Sequence, residues 1–410
     1  MIKNECRSCG NTDIETVISL GESPLANNLL DTKNLKEQSY PLKMNYCPIC
    51  YNCQLSYSVP RERMFNKYLY VSSTTKTFRD HFSNAAILLS EQFGLGEESF
   101  VVDIGSNDGV FLKPLKEMGV NVCGVEPAGN LSEMANKNGI PTINGYFEDD
   151  STIGQIKHKA DLVTAFNVFA HSDKLKQITE NVFKVLKPSG HFIIEVQYLY
   201  DTLNDGTFDN MYHEHYNYWS VLSLNNFFLN LGLQISYIDH VDTHGGSIRV
   251  YVGNQGHLVH PSVSEFIQKE RDFGMDKIET YLNFSNMINE RKTNTLQILD
   301  DLKSQGKKII GYGAPAKATT LLNAFNINDN ILKYVIDDNV MKQGKVIPNL
   351  NIKIISKEEG YSKKPDCVLI LAWNFYREII NNNLELLESG VEFIVPTQNV
   401  LVINKENYSE

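Results

Sequence analysis

The sequence predicts an α/β protein in three parts: a small metal-binding amino-terminal domain, a central Rossmann-like domain and a second, smaller Rossmann-like domain. Three observations carry this. Five of the seven cysteines fall within the first 53 residues, four of them as two Cys-x2-Cys pairs. From about residue 99, short apolar runs alternate with helical patterns, which implies a parallel sheet covered by helices. The same rhythm restarts at Gly306. A chain of 410 residues also exceeds what one core usually serves.

Residues 1–75 show little periodicity and cannot build much core, so a metal is expected to stabilise them. Cys6 with Cys9 and Cys47 with Cys50 form two chelating pairs, separated by 37 residues, that together suit one tetrahedral zinc. Four thiolates leave no open position for water, which makes the zinc structural. Cys53 is an extra candidate, either beside the site or a separate thiol. Disulfides are not expected in a reducing cytosol.

Residues 76–255 form the central domain. Strands are predicted at Ser99–Ile104, Asn121–Glu126, Asp161–Asn167 and His191–Val196, with a helix at Val110–Met118 and a turn at Lys187–Gly190. Two later strands, near Ile235–Ile238 and Ser247–Val252, are expected to close the sheet antiparallel. Residues 256–305 read as a helical connection. In 306–410, strands are predicted at Lys308–Gly311, Leu332–Asp337 and Asp366–Leu371.

The net charge of −11 argues against a nucleic-acid partner, which would call for a basic face. No apolar run is long enough to span a bilayer; Cys367–Trp373 is among the longest. With no secretory signal in the first residues, a cytoplasmic location without a membrane partner is expected.

Chemistry gathers at two places in the central domain. Asp103-Ile-Gly105-Ser-Asn107-Asp108-Gly109 follows a strand and opens a helix, and its glycines let backbone approach a ligand closely. An acidic residue ahead of the turn suits a cationic amino-acid ligand better than a pyrophosphate. Glu126 ends the next strand, where a carboxylate accepts from ribose hydroxyls. This combination is similar to the S-adenosylmethionine site of class I methyltransferases. The second place is Tyr212-His213-Glu214-His215, set among aromatics after the strand at 191–196. Histidine is well matched to proton abstraction near neutral pH, and apolar surroundings shift such groups.

In order along the chain, these motifs resemble the three-domain sugar C-methyltransferase family, exemplified by enzymes that act at C3 of TDP-linked 4-keto-deoxysugars. The resemblance includes the cysteine pairs, Tyr68-Leu-Tyr70-Val-Ser72-Ser73, the Asp103–Gly109 turn and Asn167-Val-Phe-Ala-His171. It continues through the Tyr-His-Glu-His stretch, Thr243-His244-Gly-Gly-Ser247-Ile-Arg249, Gly311-Tyr-Gly313-Ala-Pro-Ala-Lys317 and Leu371-Ala-Trp373-Asn374. It implies S-adenosylmethionine as cofactor, with Asn167 and His171 joining Asp103, Gly105, Asn107, Asp108, Gly109 and Glu126 around it. It implies that Tyr212, Glu214 and His215 line the sugar, with His215 the leading base and Tyr70 a further active-site tyrosine. Tyr68, His213, His244 and Arg249 then complete the sugar side, while Gly311, Gly313, Lys317, Trp373 and Asn374 hold the nucleotide.

The expected reaction is therefore methylation at carbon 3 of a nucleotide-linked 4-keto-sugar. The nucleotide is left open among TDP, GDP and CDP. O- or N-methylation and a non-methylating epimerase on the same scaffold are the enzymatic alternatives. A zinc-ribbon interaction module on a degenerate Rossmann domain is the alternative outside enzymes.

Overall fold

The computed structural model describes residues 1–33, 35–65, 71–243, 245–256 and 258–408. Among these residues the strands form three sheets. The first contains β1 (Glu15–Pro24), β2 (Ser39–Tyr46) and β3 (Cys53–Leu55), joined antiparallel. The second contains β4 (Phe100–Ile104), β5 (Asn121–Glu126), β6 (Thr142–Asn144), β7 (Ala160–Phe166) and β8 (Leu186–Gln197), all parallel. The two-residue strand β9 (Asn217–Tyr218) leaves the central domain and pairs with β3, completing the first sheet.

Strands β10 (Leu233–Val241) and β11 (Ser247–Asn254) finish the central sheet in the order β10-β11-β8-β7-β4-β5-β6. The predicted antiparallel closure is observed: β11 runs antiparallel to both β8 and β10. The third sheet orders β14 (Lys353–Ile355), β13 (Tyr334–Ile336), β12 (Ile309–Tyr312), β15 (Cys367–Ile370), β16 (Glu392–Val395) and β17 (Leu401–Ile403). Only β17 is antiparallel to its neighbour.

Lys187–Gly190 is not a turn between elements. It lies within β8, where the pairing with β7 skips between Ala160↔Leu186 and Leu162↔His191. The extra residues are absorbed as a bulge, which keeps the strand continuous.

The amino-terminal part does not stand on zinc alone. Val17, Ile18, Leu42, Met44 and Tyr46 share one core with Phe284, Ile288, Leu321 and Phe325. Tyr46 and Tyr281 rings sit 4.9 Å apart. The 27-residue helix Ile278–Ser304 buries Tyr281, Phe284, Ile288, Arg291, Thr295, Leu299 and Leu302. That three-and-four spacing makes one continuous stripe, so the helix acts as a spine between sheets. Thr319 Oγ1 donates to the Ala26 carbonyl at 3.0 Å, and Leu30 and Val346 exchange backbone hydrogen bonds. No helix among the described residues is long and apolar enough to cross a membrane.

Candidate active site and zinc centre

The two cysteine pairs close on one point. Cys6 Sγ lies 3.5 Å from Cys50 Sγ, Cys9 Sγ lies 3.6 Å from Cys47 Sγ, and all four sulfurs fall within 4.8 Å of one another. Four thiolates at a zinc–sulfur distance of ~2.3 Å around a tetrahedron stand roughly 3.8 Å apart, so the set fits zinc. The two loops are built alike. Cys6 N donates to Asn11 O and Gly10 N to Cys6 O; Cys47 N donates to Asn52 O and Tyr51 N to Cys47 O. Gly10 (φ 77°) and Tyr51 (φ 62°) occupy the left-handed region after the second cysteine of each pair. Cys53 is not in the cluster; it sits on β3, fully buried, with Tyr281 beside its thiol.

The cofactor turn stands at the carboxyl ends of β4, β5 and β7, where ligands of parallel α/β sheets bind. Gly105 and Gly109 have φ of 64° and 82°. A Cβ on Gly105 would run into Val168, and one on Gly109 would stand 3.0 Å from Ile140. Asn107 replaces a third glycine yet also adopts a positive φ of 51°, a conformation asparagine tolerates. Its side-chain oxygen accepts from Ser72 N at 3.0 Å and Asp108 N at 2.9 Å. Thus the segment that follows Tyr70 is pinned to the turn.

Glu126 accepts from Asn107 N at 2.9 Å and Ala128 N at 2.8 Å. Burial raises its carboxyl pKa and the two amides oppose that. Asp103 is buried on β4 and accepts from Thr164 Oγ1 at 2.6 Å. Burial pushes its carboxyl up to about 7, with Thr164 opposing and the Glu126 charge adding. Asp108 keeps one carboxylate oxygen, Oδ1, buried with no hydrogen-bond partner among the described residues. Two positive-φ glycines, an orphaned carboxylate oxygen and acidic strand ends fit a cationic amino acid joined to a ribose, which is the donor set S-adenosylmethionine requires.

Asn167 follows β7 with φ 57°, and its N–H donates to Glu195 O at 2.7 Å. The short turn Phe169–His171 then brings the His171 ring within 5.0 Å of His215. Tyr212 lies 4.2 Å from His215, centroid to centroid. Tyr212, His215 and His171 are all half-buried, so the three rings stay partly open to solvent. His215 Nδ1 sits 3.0 Å from the Asn210 carbonyl oxygen. A carbonyl only accepts, so Nδ1 carries the proton and Nε2 is the basic nitrogen. Glu214 accepts from Asn27 Nδ2 at 2.7 Å.

Three of the expected residues are held in contacts within the protein. His213 is 1% exposed, meets Tyr40 edge-on at 5.7 Å, and is pushed down to about 4 by burial, so it is packed in the interior. Arg249 is buried against Glu195, to which its Nε and Nη2 donate at 3.1 and 2.7 Å. His81 Nε2 meets the other oxygen of that carboxylate at 2.7 Å. Gly311 lies inside β12, where a Cβ would stand 2.8 Å from Val335 Cγ2; its smallness serves packing.

Gly313 does open the next turn, with φ 88° and a Cβ position 2.9 Å from Ala372 Cβ. Asn374 is exposed just beyond that contact. Lys317 is half-buried on the helix Ala316–Phe325, its Nζ 4.0 Å from where a Cβ on Gly245 would stand. Trp373 is buried and donates Nε1 to Asp209 Oδ2 at 2.8 Å. Tyr68, Tyr70 and His244 lie outside the described residues. Asn27, Asp209 and Glu195 were not singled out from sequence, because each acts through a partner far along the chain. The run Phe208-Asp209-Asn210, separated from Tyr212 by Met211, is the available signal for Asp209.

Three family models match successive parts of the chain. Residues 6–65 match a family model described as a zinc binding domain, 78–238 a methyltransferase domain, and 242–397 a C-methyltransferase C-terminal domain. The chain is 35% identical over 410 residues to C-methyltransferase NovU of Streptomyces niveus, covering 98% of each chain. Among solved structures, it resembles the PH0226 protein from Pyrococcus horikoshii OT3 at 18% identity and a TM-score of 0.39, over 48% of this chain and 98% of that one. It also resembles magnesium protoporphyrin IX methyltransferase from Synechocystis PCC 6803 at 13% identity and a TM-score of 0.34, over 43% of this chain and 79% of that one.

Proposed function

The chain belongs to the three-domain C-methyltransferase family that its motifs resemble, with S-adenosylmethionine as cofactor and a structural zinc, and from this premise we propose that it methylates carbon 3 of a nucleotide-linked 4-keto-sugar. The observation that supports this most is the hydrogen bond from His215 Nδ1 to the Asn210 carbonyl, which makes Nε2 a base within a half-buried ring cluster beside the cofactor edge.

Carbon is a poor nucleophile unless a neighbouring carbonyl acidifies its proton, and a 4-keto group does this for C3. His215 Nε2 takes the C3 proton, and the electron pair of that C–H bond moves into the enolate. Tyr212 and His171 stand close enough to His215 to donate to the enolate oxygen as charge gathers there. Glu214, held by Asn27, orients the sugar hydroxyls. S-adenosylmethionine supplies the electrophilic methyl and departs as S-adenosylhomocysteine. Asp103 and Glu126 hold that cofactor in register with the base, so a bimolecular encounter becomes an oriented one. Imidazolium His215 then returns its proton to water. Lys317, with Gly313 and Asn374 at the neighbouring turn, receives the nucleotide diphosphate. Thiols kept reduced for zinc fit a cytoplasmic setting.

The test is incubation of the purified protein with TDP-, GDP- and CDP-linked 4-keto-deoxysugars and methyl-13C-labelled S-adenosylmethionine. A carbon-bonded methyl correlated to C4 in the product spectrum is expected. An oxygen- or nitrogen-bonded methyl would replace this reading with the O- or N-methyltransferase alternative.

A further inference from the structure

The loop that carries the His215 acceptor is docked on the carboxy-terminal half of the chain from several sides. Asp209, fully buried, accepts from Trp373 Nε1 at 2.8 Å. Its other oxygen, Oδ1, is buried with no hydrogen-bond partner among the described residues. Arg291, on the spine helix, donates Nη1 to Gly206 O at 2.9 Å and lies over the rings of Phe208 and Trp373 at 5.4 and 5.1 Å. Phe208 stacks on Phe325 at 5.3 Å with an interplanar angle of 17°. Lys317 and Arg291 both act on the Asp209 carboxylate through charge, against the burial that raises its pKa.

The residue after Asp209 is Asn210, and its carbonyl receives His215 Nδ1. The local backbone is rigid: Asn210 N donates to Thr207 O, Met211 N to Phe208 O, and Asn210 Nδ2 to Thr207 Oγ1. A shift of Asp209 therefore carries the Asn210 carbonyl with it. A buried polar group is costly unless satisfied, so so enclosed a carboxylate at a junction between domains calls for a reason.

We propose that Asp209 is a positioning residue: its hydrogen bond from Trp373 ties the carboxy-terminal domain to the Asn210 carbonyl and so fixes the tautomer and position of His215. The inference rests on the reading of His215 as the base. It adds that the domain receiving the nucleotide also sets the proton-abstracting group. Lys317 sits in the same cluster, so an anion bound near its ammonium is felt at the same carboxylate.

The experiment uses the full chain with zinc. Trp373→Phe removes the donor and keeps a ring. Asp209→Ala removes the acceptor, while Asp209→Asn keeps an oxygen for Trp373, loses the charge and puts an NH2 in place of the unpartnered Oδ1. Trp373→Phe and Asp209→Ala are expected to lower kcat by about a hundredfold, the order found when a reacting group is misplaced, with cofactor KM within about twofold. Asp209→Asn is expected to restore kcat to within about fivefold of the native value. Nitrogen-15 NMR of labelled histidine, with His215 identified by its loss in His215→Asn, reads the tautomer directly. It is expected to lose its Nδ1–H preference in Trp373→Phe, whose fold is checked by cofactor binding. Native kcat and tautomer in Trp373→Phe would overturn the proposal, as would Asp209→Asn as impaired as Asp209→Ala. The base reading fails separately: His215→Asn would then still exchange the substrate C3 proton with solvent.

Discussion

Asn27 donates its side-chain N–H to Glu214 Oε1 at 2.7 Å, which brings a residue of the zinc-bearing lobe into the candidate active site. The same lobe reaches the site through backbone, since β3 pairs Cys53 with Tyr218 and Gln54 with Asn217. Cys50 lies three residues from Cys53, so the metal loop, β3 and the segment after His215 form one short path.

Zinc removal should therefore act on catalysis as well as on the fold. The protein is expected to contain one zinc per chain by elemental analysis. Cys47→Ser should release it and lower methyl transfer by more than about tenfold, because the thiolate is lost from a closed four-sulfur site. Cofactor binding at the central sheet should survive, measured by calorimetry. Equal loss of both would mean that zinc only holds the whole chain together.

Asp103 sets a pH dependence. Its carboxyl titrates near 7 when the cofactor is absent, because it is buried. The unfolded value is about 3.9, so the raised pKa lowers stability progressively as pH rises from about 4 to 7, and no further above that. A cationic ligand favours the ionised form, so binding releases a proton. Cofactor affinity should then fall by up to about tenfold per unit as pH drops below 7. Asp103→Asn should flatten that profile, bind more weakly at pH 8, and raise the melting temperature of the cofactor-free protein there. Calorimetry and thermal melts from pH 5.5 to 8.5 check both halves.

Arg249 should behave as a structural partner of Glu195. Hydrogen bonds from His81 and Arg249 pull the Glu195 carboxyl down against its burial. Arg249→Met leaves a buried carboxylate with half its partners and is expected to cost about 3–5 kcal/mol in denaturant melts. Adding Glu195→Gln should recover much of it. In the folded fraction, KM for the methyl acceptor should stay unchanged; a large rise in KM would place Arg249 on the substrate side.

The parts of this architecture legible in the sequence are those encoded locally. A Cys-x2-Cys pair must chelate from one loop, so both zinc knuckles were visible, although Cys53 could not be placed until β3 was. Buried parallel strands such as Phe100–Ile104 and Asn121–Glu126 read as short, mainly apolar runs ending near an acidic residue. Thr142–Asn144 has three residues, none fully buried, and gave no such signal. Lys187–Gly190 has the composition of a turn, yet neighbouring strands hold it in β8. The pairing of β3 with β9, and of Glu195 with Arg249, depends on contacts between distant residues, which no local pattern reports. At the site, the rings of His171, Tyr212 and His215 meet, while His213, between two of them in sequence, packs its ring against Tyr40.

The central claim is that His215 enolises a keto-sugar before the methyl moves. The direct measurement is deuterium exchange at C3 of a nucleotide-linked 4-keto-sugar in heavy water, with S-adenosylhomocysteine in place of the methyl donor and NMR as readout. The wild-type protein should exchange that proton catalytically, and His215→Asn should lose the exchange and methyl transfer together. Exchange at the native rate in His215→Asn would contradict the account and pass the role of base to another group in the cleft.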